Sequence, residues 1–162
     1  MQATGSKRAQ VTTPSDLDIL ITRDFAAPPG LVYQAWTTPE LVARWWAGRR
    51  GAVTSVESDL QVGGRWRYAM QTADGHEIAF SGEYTEIVPG EKLVWTETFE
   101  QMPDAGATVN TATFTATETG TRLELLTACP SQEVRDGILQ SGMETGMQEQ
   151  MEILDELLPR LA

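Results

Sequence analysis

The chain has 162 residues, 41% of them hydrophobic, enough for one domain with a sizeable core. A formal net charge of −11 argues against nucleic acid and anionic membrane surfaces as partners, because both repel a polyanion. The single cysteine, Cys129, allows no internal disulfide and suggests a cytoplasmic protein, and no run of about 18 apolar residues is present to span a bilayer.

Residues 1–15 are polar and carry Lys7 and Arg8 without an apolar stretch beside them, so they do not form a secretory signal. They are expected to be a disordered leader, with one domain over residues 16–162. Residues 18–26 alternate Ile19, Ile21 and Phe25 with polar neighbours and predict a first strand. Pro28 and Pro29 suit the opening of a short helix over 31–36, since a missing N–H is no loss in a first turn. Thr38-Pro39-Glu40 opens a second helix that runs to about Trp46.

From Gly51 the period changes to two. Strands are predicted over 52–59, 65–71, 77–88, 92–100, 108–117 and 121–128. Asp74-Gly75 and Pro89-Gly90 mark tight turns between them. In 65–71, Trp66, Tyr68 and Met70 point one way and Arg65 and Arg67 the other. In 77–88, Ile78, Phe80 and Tyr84 share a phase; in 92–100, Leu93, Trp95, Glu97 and Phe99 do. A meander of this kind needs something against its concave side.

Residues 131–158 are the available filler. As one helix they carry a stripe of Leu139, Met143, Met147, Leu154, Leu157 and Leu158, with Met151 at its edge and Gln150 within it. Glu144, Gln148, Glu149, Glu152, Asp155 and Glu156 fall on the other side. Gly142 and Gly146 leave room along one flank, and Gly137 allows an early break. A soft stripe with one amide borders either a cavity or an ordinary core in which methionine fills gaps.

An ordered set of short motifs resembles the activator-of-Hsp-ATPase-homologue family of the START-like (SRPBCC) superfamily. It comprises Phe25-Ala26-Ala27-Pro28, Leu31 to Thr37, Pro39-Glu40-Leu41 with Arg44-Trp45-Trp46, and Asp59-Leu60 with Gly63-Gly64-Arg65-Trp66. It continues through Asp74-Gly75, Gly82 with Tyr84, Leu93-Val94-Trp95-Thr96, Gly120-Thr121-Arg122-Leu123 and the stretch from Ser141 to Met147. The resemblance implies an α+β helix-grip fold: a curved antiparallel sheet wrapped around a long C-terminal helix, with a hydrophobic cavity between them and two short helices after the first strand. It implies binding of a small hydrophobic molecule, or a role in stress response or beside a chaperone. Many members carry Gly-Trp where this chain has Gly146-Met147, which changes the cavity's shape. The co-chaperone that gives the family its name has an additional chaperone-binding domain with no counterpart in these residues.

The candidate ligand-binding residues are therefore Trp66, Tyr68, Met70, Phe80, Trp95, Glu97, Met143, Met147 and Gln150. Glu97, Tyr68 and Gln150 would orient a guest. Glu97, if it faces the apolar side, would have a raised pKa and could serve as acid or base in a cofactor-free cyclase, isomerase or hydrolase acting on an aromatic or polyketide-like substrate. It could equally be turned outward by a bulge or paired with Arg65 or Arg67. No other catalytic residue is indicated: there is no nucleophile elbow, and the only histidine, His76, follows a turn far from Cys129. No zinc-ligand spacing or calcium loop is present, and no cofactor is expected. Arg49 and Arg50 follow the tryptophan pair, where they could draw an anionic head group to a cavity mouth or sit in a solvated loop. A second copy of the chain is the other partner left open.

Overall fold

The computed structural model describes residues 8–161. It is the helix-grip fold: one curved antiparallel sheet of eight strands in the order β1-β2-β8-β7-β6-β5-β4-β3, with four helices. The strands are β1 (Gln10–Thr12), β2 (Asp18–Phe25), β3 (Gly51–Ser58), β4 (Arg65–Thr72), β5 (Glu77–Val88), β6 (Lys92–Phe99), β7 (Thr108–Ala116) and β8 (Thr121–Ala128). Helices α1 (Pro29–Thr37) and α2 (Pro39–Trp45) follow β2; α3 (Gln132–Gln140) and α4 (Met143–Leu157) follow β8.

Local chemistry accounts for most of these boundaries. Pro29 and Pro39 sit at the first helical positions of α1 and α2, where no intrahelical partner exists for an N–H. Ser131 caps α3 by accepting the Val134 N–H at 3.2 Å. Gly75 takes a φ of +89° in the turn between β4 and β5, as an Asp-Gly turn requires. Strands β3 to β8 pair in succession, β2 lies beside β8, and β1 forms the edge beyond β2.

The core lies between this sheet and α4. Met147, Met151, Leu154, Leu157 and Leu158 pack with Ile19, Ile21, Leu93, Phe114 and Leu123 from the strands, and with Val32, Val42 and Trp45 from the short helices. At about 2 kcal/mol for each buried side chain, the five from the C-terminal segment contribute on the order of 10 kcal/mol before conformational entropy is counted.

Three expectations change. Residues 1–7 of the expected leader lie outside the described residues, but the rest of it is ordered: Gln10–Thr12 pairs with Thr22, Ile21 and Leu20 as an eighth strand. Ala9 is buried, and its N–H and C=O both bond the Gln148 side chain. Gln148, placed on the polar side of the helix by spacing, is therefore itself buried beneath the N-terminal segment. The single helix is two, broken at Ser141-Gly142 rather than at Gly137. Gly142 adopts a φ of +85°, which ends one helical run and starts the next, whereas Gly137 stays helical at a propensity cost of about 1 kcal/mol.

Candidate functional site

Strand register decides what faces the concave side. Opposite residues in an antiparallel pair point to the same face. Tyr68 opposes Phe80, Phe80 opposes Phe99, Tyr84 opposes Trp95, and Glu97 opposes Thr108. Trp66, Tyr68, Met70, Phe80, Trp95 and Glu97 thus share one face. A bulge does occur, but between Tyr84 and Glu86 on β5, so it does not turn Glu97 outward. Arg67 points the other way and makes a two-pronged pair with Glu100 at 3.0 Å. Glu97 and Glu100 therefore sit on opposite faces of the sheet.

The face is unevenly closed. Trp66 and Met70, on either side of Tyr68 on β4, are buried, as is Met147 of α4. The Trp66 indole N–H reaches the Thr96 carbonyl at 3.1 Å, past Gly82, whose lack of a side chain lets the strands approach there. Gly142 and Gly146 leave no room either. The Arg50 guanidinium lies on Gly146, and its Nη2 donates to the Gly142 carbonyl at 2.6 Å. The Gln150 amide donates to the Trp46 carbonyl at the end of α2. Met143 is half-buried at the start of α4.

Tyr68, Phe80, Trp95, Glu97 and Phe99 of β4 to β6 are only half-buried, and Trp46 at the end of α2 packs on Tyr68 and Phe80. The Trp46 ring meets Tyr68 edge-on at 5.6 Å and Phe80 at 5.9 Å; Phe80 stacks on Phe99 at 5.0 Å. Glu97 accepts a long 3.4 Å hydrogen bond from the Trp95 indole. Burial pushes its carboxyl pKa up, and the indole N–H opposes this. Burial also holds the Tyr68 hydroxyl well above its ordinary range, reinforced by Tyr84, whose own hydroxyl bonds Ser58 at 2.8 Å.

Spacing alone missed the polar continuation of this face. Asn110 bonds Thr108 at 2.9 Å and Thr127 at 2.7 Å, and both Asn110 and Thr108 are buried. Strand β7 reads TVNTATFTA, in which threonines occupy both phases. The one available signal was that Asn110 shares its phase with Phe114.

Two hollows open elsewhere on the surface. One of about 420 Å³ is lined by Arg8, Arg49, Gln148 and glutamates of α4. Another of about 280 Å³ lies between α2 and β3. Arg49 and Arg50 are not free to receive an anion. Arg49 bonds Glu149 through its backbone N–H and Glu152 through its guanidinium, and Arg50 holds Gly142, so both strap the loop after α2 onto α4. His76 is exposed beside Asp74. Among the described residues no group of three or more His, Cys, Asp or Glu is placed to hold a metal ion, and no helix is long and apolar enough to cross a membrane.

The family model described as Activator of Hsp90 ATPase homolog 1-like protein matches residues 26–159. The chain belongs to this family. A solved structure from Rhodobacter sphaeroides is 27% identical with a TM-score of 0.89, over 94% of this chain and 99% of that one. One from Mycobacterium smegmatis is 28% identical with a TM-score of 0.81, over 92% and 97%. One from Chromobacterium violaceum is 29% identical with a TM-score of 0.77, over 88% and 97%. Among proteins of curated function none matches. Membership of the family accounts for the curved sheet around a C-terminal helix. Beyond that, it suggests ligand binding or a chaperone-associated role without specifying either.

Proposed function

We propose that this chain is a cytoplasmic protein that binds a small hydrophobic or aromatic molecule on the concave face of the sheet, at the β4–β6 end beside Trp46 of the α2 terminus. The observation that carries this reading is the half-buried group of Trp46, Tyr68, Phe80, Trp95 and Phe99 on the face that also carries Glu97, a carboxyl with one long hydrogen bond. Aromatic rings left partly open to water gain free energy when an apolar guest covers them, and a few polar groups then fix its orientation. Native mass spectrometry of freshly purified protein should reveal a bound small molecule. Calorimetric titration with a neutral aromatic alcohol should show binding that weakens about tenfold or more in Trp46→Ala and Phe80→Ala, each removing a buried ring face. Absence of both signals overturns the reading.

The raised pKa of Glu97 favours one second reading, in which the same site turns over its guest by acid–base chemistry without a cofactor. Turnover that collapses in Glu97→Gln supports it; binding without turnover excludes it. A chaperone-associated role would need no guest at this site, and co-purification of a chaperone with the site variants as well as the native chain would favour it.

A further inference from the structure

The charge of the guest can be read from what surrounds Glu97. Its carboxyl is flanked along the strand by Trp95 and Phe99; Tyr68 lies within its electrostatic reach, Phe80 stacks on Phe99, and Trp46 packs on Tyr68 and Phe80. Among the described residues no lysine or arginine balances it. Arg67 is spent on Glu100 and Glu77 across the sheet, Lys92 on Glu86, and Arg49 on Glu152. The groups acting on its ionisation are burial and the Trp95 indole, with no cation among them. A carboxylate partly removed from water without a counter-charge is unfavourable, and a cation brought against it would relieve that cost.

The neighbours suit one kind of cation. Aromatic faces attract an ammonium through the ring quadrupole, and the attraction grows when the ammonium is desolvated. The chain's net charge of −11 also raises the local concentration of cations, whereas an anionic guest would meet repulsion throughout its approach. We propose that the β4–β6 site selects an organic ammonium, an amine or quaternary ammonium carried on an aromatic or alkyl body, with its charge against Glu97 and its body among Trp46, Tyr68, Phe80 and Phe99. This rests on the binding site proposed above and assigns its ligand class.

The test uses three probes on one naphthylmethyl skeleton, bearing a trimethylammonium, a hydroxyl or a carboxylate. Each is titrated calorimetrically into the full chain in 150 mM salt, where long-range attraction to the net charge is largely screened over about 8 Å. The ammonium is expected to bind about tenfold or more tighter than the alcohol, and the carboxylate weakest. Glu97→Gln should remove the preference for the ammonium over the alcohol, because the carboxylate is what distinguishes them. Glu100→Gln, on the other face, should leave the preference intact. Equal affinity for ammonium and alcohol in the native chain overturns the cation assignment while leaving hydrophobic binding standing. A preference that survives Glu97→Gln overturns it too, by tracing selection to the overall charge. If none of the three binds, the binding reading itself falls and the cation assignment falls with it.

Discussion

The side-chain amide of Gln148 donates to the Ala9 carbonyl at 2.8 Å and accepts the Ala9 N–H at 3.0 Å, joining residues 139 positions apart. An amide presents the same donor and acceptor as a peptide unit, so Gln148 acts as one further partner for the edge of β1. Gln148→Ala strands both backbone groups of Ala9 in a buried place, at about 1–3 kcal/mol. Urea denaturation should register that loss, and amide exchange at residues 9–12 should accelerate more than exchange in the central strands. Unchanged protection at 9–12 would mean that pairing with β2 alone holds the segment.

Arg23 is 2% exposed, beneath α4, with Asp155 3.7 Å away and the Phe25 ring 4.6 Å below its guanidinium. Desolvation lowers its pKa, and Asp155 opposes that first among its acidic neighbours. Asp155→Ala leaves a buried positive charge without its counter-charge, and the expected loss is about 3 kcal/mol. Replacing Arg23 by Met and Asp155 by Leu together should recover much of it, since removing both partners leaves no stranded charge. Denaturant midpoints of the two variants check both statements.

Two glycines predict opposite outcomes for the same change. A Cβ on Gly82 would fall 1.8 Å from the Thr96 carbonyl oxygen, which is backbone and cannot step aside. Gly82→Ala should therefore part β5 from β6, lengthen the Trp66–Thr96 hydrogen bond and cost about 3 kcal/mol. A Cβ on Gly146 would meet the Arg50 guanidinium at 2.8 Å, the far end of a flexible side chain. Gly146→Ala forfeits one hydrogen bond of about 1 kcal/mol and gains about 1 kcal/mol of helix propensity, for a net change near zero. Thermal melts of the two variants separate the cases.

Glu97 and Glu100, three residues apart, should give stability opposite slopes with pH. The folded pKa of Glu97 is raised by burial, so between its unfolded and folded values the native state holds the extra proton. Stability from this group therefore falls as pH rises through that window and is not regained at neutral pH. The folded pKa of Glu100 is lowered, chiefly by its hydrogen bond from Arg67. Its contribution is present above the unfolded value and is lost as pH falls through the folded one. Glu97→Gln should accordingly be more stable than the native chain at pH 7 and converge with it in acid. Glu100→Gln should be less stable at pH 7 and also converge in acid. Denaturation midpoints at a series of pH values decide both.

Periodicity determined much of this molecule by itself. Side chains on a strand alternate because the backbone is pleated, so the phases of Trp66 with Tyr68 and of Trp95 with Glu97 were legible as soon as the strands and turns were, while register alone decided that no bulge turns Glu97 away. Proline at a first helical position and glycine at a tight turn act within a few residues, which is why α1, α2 and the β4–β5 hairpin fell where expected. What only the tertiary structure decided was each polar group's partner. Gln148 looked exposed because its covering strand comes from the far end of the chain; Arg50 looked free because Gly142 and Gly146 are distant in sequence. Alternation is a property of one segment, whereas a buried amide or guanidinium is satisfied only by atoms brought near when the whole chain closes.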